Sequence, residues 1–278
     1  MNLPPTVAIV GLGLMGGSLA RDLAAAGTRV LAHDPRDEVA RAARAAGVVN
    51  ELLDSTLRGA SAADLVVLAV PVDAAADILT RLSGVLDWPI PITDVGSTKA
   101  AIADHAESLG LGAVFVGSHP LAGDHRSGWA ASRPALYRGA TVFVCPGRSA
   151  SAAAASAVRG LWEAIGSVCV EVDPAEHDRR MAWLSHLPQV AASAVATTLL
   201  EAGIAADQLG PGGRDVTRLA GSSPEMWRAI ALANAEPLRQ AIERLTEQLE
   251  ILANALRTAD SDAIDTFFRR ARDWRDPS

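Results

Sequence analysis

Two patterns of apolar positions alternate along roughly the first 170 residues of the chain. Short unbroken apolar runs predict fully buried strands, and apolar positions recurring every three to four residues predict amphipathic helices. The segments "TVAIVG", "RVLAHD", "DLVVLAVP", "PIPITDVGS", "AVFVGSHP", "ATVFVCP" and "SVCVEVD" read as strands. Residues 14–26, 36–46, Val72–Leu86, Lys99–Leu109 and an alanine-rich stretch after Pro146 read as the helices between them. Valine- and isoleucine-rich strands separated by helices mark an α/β fold. The expected form is a mainly parallel, doubly wound sheet of the Rossmann type, covered on both faces.

After about Asp173 the strand signals stop. Residues 174–201 read as helical, with a kink expected at Pro188. In "GSSPEMW", Ser222 or Ser223 can cap a helix whose first turn takes Pro224 and Glu225. Across 236–257, Leu238, Ile242, Leu245, Leu249, Leu252 and Leu256 follow a 4-3-4-3-4 spacing. That is a heptad seam, which packs either within one chain or between two copies. The expected organisation is a dinucleotide-binding domain over 1–172 and an all-helical domain over 173–278, joined by a change of class and not by a flexible linker.

Composition narrows the function classes. A length of 278 residues suits two domains, and 49% apolar residues suffice for sizeable cores. A net charge of −7 argues against a nucleic-acid-binding surface, and the basic "FFRRARDWR" near the end reads as the solvated face of a terminal helix. Cys145 and Cys169 sit in apolar runs without CxxC spacing, as free thiols of a reducing compartment do. "MNLPP" lacks the basic start of a signal peptide. The longest apolar stretch, "LPQVAASAVATTLLEAGIAA", carries Gln189, Thr197, Thr198 and Glu201, so a buried helix is expected there and not a membrane span. The expected setting is cytoplasmic, away from membranes.

The sharpest chemical signal is Gly11, Gly13 and Gly16 in "VAIVGLGLMGGSLARDL", a G-x-G-x-x-G between the first strand and the first helix. The first glycine permits the tight turn, the second a close approach to pyrophosphate, and the third close packing of helix on strand. Asp34 ends the next strand, 23 positions after Gly11, where a carboxylate accepts hydrogen bonds from ribose hydroxyls and repels a 2′-phosphate. NAD is therefore the expected cofactor, with Arg36 keeping NADP as the alternative. Leu14 and Met15 in the glycine loop, and Val70 and Pro71 at the end of the third strand, are further expected cofactor contacts. Ligands of such sheets lie beyond the carboxyl ends of the strands, where "DVGSTKA" and "GSHPLAGDH" also fall. His119, Asp124 and His125 lack the spacing of a metal site and have no second ligand cluster, so no metal is expected.

"GLGLMGGS", "DVGSTK", "GSHPLAG", "HDRRMAWLSHLP" and "RDVTRLAGSSPEMWRAI", in that order, make the chain resemble the prephenate/arogenate dehydrogenase family of tyrosine biosynthesis. The resemblance implies an N-terminal Rossmann domain and an all-α C-terminal domain that builds a homodimer. The activity it implies is the NAD-dependent oxidative decarboxylation of prephenate or arogenate. It implies His119 as the catalytic base, a role that imidazole chemistry suits. Ser97 is implied beside the nicotinamide, where it can also cap the Lys99 helix. Arg218 is implied as the fork for a substrate carboxylate, with Asp215 able to pair with it. Ser185 and His186 are expected at the cleft, and Trp227 either at its entrance or in the core. His177 and Asp178 are read as a cap or an interdomain hydrogen bond.

Two departures bear on substrate choice. Gln189 replaces a histidine that many relatives carry in "SHLPH", and Asp124 and His125 follow the glycine of "HPLAG" where relatives often have Thr-Glu or Pro-Asp. Both are expected to touch substrate, and both tilt the expectation towards arogenate. Two other readings stand beside this one: a dehydrogenase of an amino-substituted analogue of prephenate, and a non-catalytic NAD-binding dimer. The chain ends after the helical pattern, and no further regulatory or mutase domain is expected.

Overall fold

A computed structural model describes residues 3–86, 89–123 and 126–276. Asp124 and His125 therefore lie outside the described residues. Five parallel strands, β1 (Thr6–Val10), β2 (Arg29–His33), β3 (Glu51–Leu52), β4 (Leu65–Leu68) and β5 (Ile92–Asp94), are ordered β3-β2-β1-β4-β5. β6 (Val116–Pro120), β7 (Thr141–Pro146) and β8 (Val168–Glu171) follow in that order, and a parallel bridge from Ile92 to Phe115 joins the two groups. The strand order reverses between β1 and β4, which opens a crevice at their carboxyl ends.

The sheet departs from the parallel expectation at one edge, where β7 runs antiparallel to β6. A parallel return needs a crossover element. Between Pro120 and Thr141 the described residues form only a short 3-10 turn, Trp129–Ala131, and the strand doubles back. β8 is again parallel to β7, after the crossover of an intervening helix.

That helix is α5 (Ala152–Ala164); α1 (Leu14–Ala25), α2 (Asp37–Ala45), α3 (Val72–Ser83) and α4 (Ala100–Ser108) cover the rest of the sheet. Alternate β1 residues serve opposite faces. Val7 and Ile9 pack with Leu19, Leu23, Leu161 and Trp162, and Ala8 and Val10 pack with Leu79 and Ile102. Burial on both faces is why the strands are unbroken apolar runs.

The second domain is helical: α6 (Pro174–Met181), α7 (Leu187–Glu201), α8 (Pro211–Thr217), α9 (Pro224–Ala233), α10 (Ala235–Arg257) and α11 (Ser261–Arg275). Asp173 caps α6 through the amides of Ala175 and Glu176, and Ser223 caps α9 through Met226. In place of a simple kink at Pro188, a widened π turn over Ala182–His186 joins α6 to α7. Proline cannot donate to the carbonyl four residues back, and the wider turn relieves its ring of that clash. Of the leucine seam, Leu238 is buried, while Leu249 and Leu256 are exposed. No described helix is long and apolar enough to cross a membrane.

Candidate active site

The glycine loop has the shape of a phosphate cradle. Gly11 has φ +97°, and a side chain there would meet the Ala69 carbonyl at 2.3 Å. A Cβ on Gly16 would fall 1.9 Å from the Gly11 carbonyl, so α1 can start against this turn only with glycine. Gly13 faces open space, which its missing side chain leaves for a ligand at the helix N-terminus. Asp34 lies at the end of β2 and is buried; its Oδ2 accepts the Leu12 amide at 2.8 Å and its Oδ1 the Arg36 Nε at 3.1 Å. Burial alone would raise this carboxyl, but the hydrogen bonds from Arg36 and Leu12 outweigh it and hold the pKa below the usual carboxylate range. The acid thus stays anionic and ties the loop to β2. These residues fit a dinucleotide. Val70 stands at the mouth of the turn, and Pro71 caps α3.

A cleft of about 290 Å³ opens where the two domains meet. Ser97, His119, Leu121 and Gly123 line it from the strand ends, and Ser185, His186, Met226 and Trp227 from the helical domain. The space around Gly123 is bounded by Met15 and Leu14 at 3.5 and 3.6 Å from where a side chain would start, so the histidine loop reaches the glycine loop. A larger cavity, lined by Leu3, Pro4, Pro5, Ala26, Gly27, Thr28 and Ala164, has no titratable side chain.

His119 is half-buried at the end of β6. Burial pushes its pKa well below the ordinary histidine value, and electrostatic coupling to His177, Lys99 and His186, which disfavours adding a further proton, acts the same way. Its Nδ1 lies 2.9 Å from Nε2 of His177, and the two rings meet edge to face. His177 Nδ1 lies 2.7 Å from Asp178 Oδ1. The Asp178 carboxylate also accepts the backbone amides of Lys99 and Ala100, both at 2.8 Å. The helix after Ser97 is therefore capped from the other domain and not by Ser97, and its positive end is matched by a carboxylate.

Beneath this lies a charge pair that the sequence pattern does not reveal. Lys99, fully buried, bonds Asp94, which also accepts the amides of Gly96 (2.9 Å) and Ser118 (3.2 Å). The only trace of it in the sequence is a lysine five residues after a strand-ending aspartate, inside an apolar setting.

The other expected site residues divide. Ser97, His119, Ser185 and His186 share the cleft, with Trp227. Gln189 does not line it. The side chain is buried against the segment after α8, donating to the Leu219 carbonyl at 2.8 Å and accepting from Ser222 at 3.3 Å. Arg218 is exposed outside the cleft, at the start of a 3-10 turn, and makes no ion pair with Asp215. Asn234, unremarked in the sequence, donates to the Asp178 carbonyl (2.8 Å) and contacts Nδ1 of His186 (3.0 Å). Among the described residues no group of three or more histidine, cysteine or acidic side chains is placed to hold a metal.

The chain matches two family models. One is the nucleotide-binding domain of prephenate dehydrogenase, over residues 19–171, and the other is its dimerization domain, over 173–270. It is 35% identical to the prephenate dehydrogenase of Bacillus subtilis, over 99% of this chain and 76% of the relative. It is 30% identical to the cyclohexadienyl dehydrogenase of Zymomonas mobilis, over 97% and 94%. Among solved structures, the A. aeolicus prephenate dehydrogenase in complex with hydroxyphenyl propionate and NAD+ superposes with a TM-score of 0.89 at 32% identity, covering 99% of this chain and 98% of that one. The Synechocystis arogenate dehydrogenase gives 0.84 at 25%, covering 98% and 99%. With both family models matched in order and a relative 35% identical over 99% of this chain, the chain belongs to the prephenate dehydrogenase family.

Proposed function

We propose that the chain is an NAD-dependent dehydrogenase that oxidatively decarboxylates prephenate or arogenate in tyrosine biosynthesis. Residues 1–172 serve as its nucleotide-binding part and 173–278 as its helical, dimer-forming part. The observation that carries this reading is the placement of His119 and Ser97 in one cleft whose loop abuts the glycine cradle. Bound in that cradle, NAD supplies the hydride acceptor. Gly11, Gly13, Leu14, Met15, Gly16, Asp34, Val70 and Pro71 hold it, and Asp34 excludes a 2′-phosphate, with Arg36 compensating its charge.

His119 takes the proton of the ring hydroxyl as the carbon beneath it gives up its hydride. Loss of the ring carboxylate as carbon dioxide then leaves its electron pair to aromatise the product. A base held neutral by burial is ready to accept at working pH. Ser97 lies beside it and orients the hydroxyl. Arg218, without an ion-pair partner among the described residues, offers its guanidinium to a substrate carboxylate.

We infer a preference for the keto acid over the amine from two unpaired donors. Asn234 bonds a backbone carbonyl, which identifies the contacting atom as its amide nitrogen, so its other N–H points to Nδ1 of His186. Neutral His186 therefore carries its proton on Nε2. That nitrogen and Trp227 Nε1 are buried without partners among the described residues. Two unpaired N–H donors suit a side chain with both keto and carboxylate oxygens, whereas an amino-acid side chain offers them only its carboxylate. Of the residues that tilt the sequence towards arogenate, Gln189 lies outside the cleft, and Asp124 and His125 lie outside the described residues. Exposed Leu249, Ile251, Leu256 and Phe268 supply the face for a homodimer through the C-terminal helices. The two free cysteines agree with a cytoplasmic setting.

The test is NADH formation from prephenate and from arogenate, with NAD and with NADP. Wild type turns over both or either with NAD, prephenate with the higher kcat/KM, and His119→Asn loses about 1,000-fold in kcat. An enzyme inert to both substrates would falsify the assignment. Full kcat in His119→Asn would remove His119 as the base.

A further inference from the structure

The geometry points to an Asp178–His177–His119 relay in which the helical domain sets the tautomer of the catalytic base. The inference rests on the dehydrogenase reading above, and goes beyond it in giving roles to two residues that do not touch substrate.

An ionised carboxylate only accepts hydrogen bonds. Asp178 Oδ1 receives the Lys99 amide at 2.8 Å, Oδ2 receives the Ala100 amide at 2.8 Å, and both donors are fixed by the start of α4. Two amide donors at the positive end of a helix suit an anionic acceptor. His177 Nδ1, at 2.7 Å from Oδ1, is then an N–H donor. A neutral ring with its proton on Nδ1 has its lone pair on Nε2. That lone pair faces Nδ1 of His119 at 2.9 Å, so His119 Nδ1 also carries a proton. One position remains for the lone pair of His119. It is Nε2, the nitrogen left to the cleft that His119 lines.

A free neutral imidazole shares its proton between two nitrogens, and only one tautomer is a base towards the cleft. The relay selects that one. When a proton arrives on Nε2, the Nδ1 proton of His119 moves towards His177 Nε2, and that of His177 closes on the Asp178 carboxylate. The new charge is thereby shared with a group that is already anionic. The substrate's O–H bond breaks as the new N–H bond forms on His119 Nε2, within the relay only N–H bonds shift, and its proton count rises by the one taken from substrate.

The surroundings suit such a path. His177 is 1% exposed and held by the ring of Phe143, 5.5 Å away and edge to face. The charged or titratable groups that act on His119 are His177 on α6, Lys99 before α4, paired with Asp94 on β5, and His186 on the π turn. Asp178 and His177 belong to the helical domain, and His119 to the sheet. The base is therefore complete only when the domains are docked.

Two substitutions and one spectrum test this. His177→Leu keeps an apolar side chain against Phe143 but accepts no hydrogen bond; its kcat should fall about 100-fold or more with KM and NAD affinity unchanged. His177→Gln can still accept the Nδ1 proton through its amide oxygen and should recover most of that loss. Nitrogen-15 NMR of histidine-labelled resting enzyme should show His119 protonated on Nδ1 and bare on Nε2, changing to a mixture of tautomers in His177→Leu. The proposal is overturned by equal losses in the two variants, by wild-type kcat in His177→Leu, or by a protonated Nε2 in the resting wild type. If His177→Leu does not fold, His177→Gln and the wild-type spectrum decide. The spectrum needs no substrate, so an inert enzyme would sink the functional reading and still leave the relay under test.

Discussion

The two walls of the cleft are built on different terms. The wall from the first domain is fixed by a sheet whose strands are buried on both faces, and its side chains leave from strand ends set by ladder register. The wall from the second domain hangs on helices with few fully buried positions. α11 has none, and α10 buries only Leu238, Ala241 and Ala255. Leu232, Leu249, Ile251, Leu256, Phe268 and Trp274 stand exposed on this side. A monomeric domain of this size rarely leaves so much aliphatic and aromatic surface in water. The sheet half thus buries its core within one chain, whereas the helical half leaves apolar surface that the proposed dimer would cover.

The sharpest way to break the first wall is from beneath. Lys99→Met leaves Asp94 as a buried carboxylate facing only the amides of Gly96 and Ser118. Removing one partner of a buried pair is costly, and a loss of about 3 kcal/mol in urea unfolding is expected, with His119 displaced along with β6. A loss below the level of ordinary surface substitutions would mean that the pair contributes nothing to the wall.

The second wall should break by dissociation and not by unfolding of the sheet. Leu249→Glu with Leu256→Glu places charge on the exposed end of the seam. Sedimentation equilibrium should show the dimer weakened by on the order of 100-fold, or about 3 kcal/mol, while NAD binding survives. An unchanged dimer would move the interface elsewhere on the helical domain.

The same contrast governs what could be read from residues alone. The strands, the helices between them and the glycine loop were legible because their causes are local: burial on two faces, a period of 3.6, a turn that only glycine enters. β7 was legible as a strand but not in its direction, which depends on the missing crossover before it. The Lys99–Asp94 pair and the capping of α4 by Asp178 were not legible. The latter joins residues 79 and 78 apart in sequence, and no local pattern marks a carboxylate that will meet a distant helix end. Gln189 shows the opposite failure. Its place in a motif suggested the cleft, yet the fold spends both ends of its amide on the turn before α9.

A smaller effect separates the walls by cofactor. Asp34→Ser removes the carboxylate that receives Leu12 and Arg36, while the rest of the cradle stands. The KM for NAD should rise about tenfold, worth about 1.4 kcal/mol, with NADP approaching it because Arg36 is released. Prephenate KM, set on the other wall, should not follow. Unchanged preference for NAD over NADP would take Asp34 out of cofactor choice.

The smallest expected effect lies on the helical wall and is read by acid. Burial lowers His186 from 6.5 to about 4, with Asp178 opposing and His177 adding to the shift. The folded state thus resists a proton that the unfolded chain accepts. Its contribution is complete above the unfolded value of 6.5 and is lost as pH falls from there towards about 4. At pH 5.5 the deficit from this one ring is about 1 kcal/mol. In His186→Gln the drop in unfolding free energy from urea titrations between pH 7.5 and pH 5.5 should shrink by that amount. His119, lowered in the same direction, keeps the remainder. An identical drop in the variant would mean that His186 is protonated as easily in the fold as outside it. The neutral Nε2–H donor assigned to the keto acid would then fail with it.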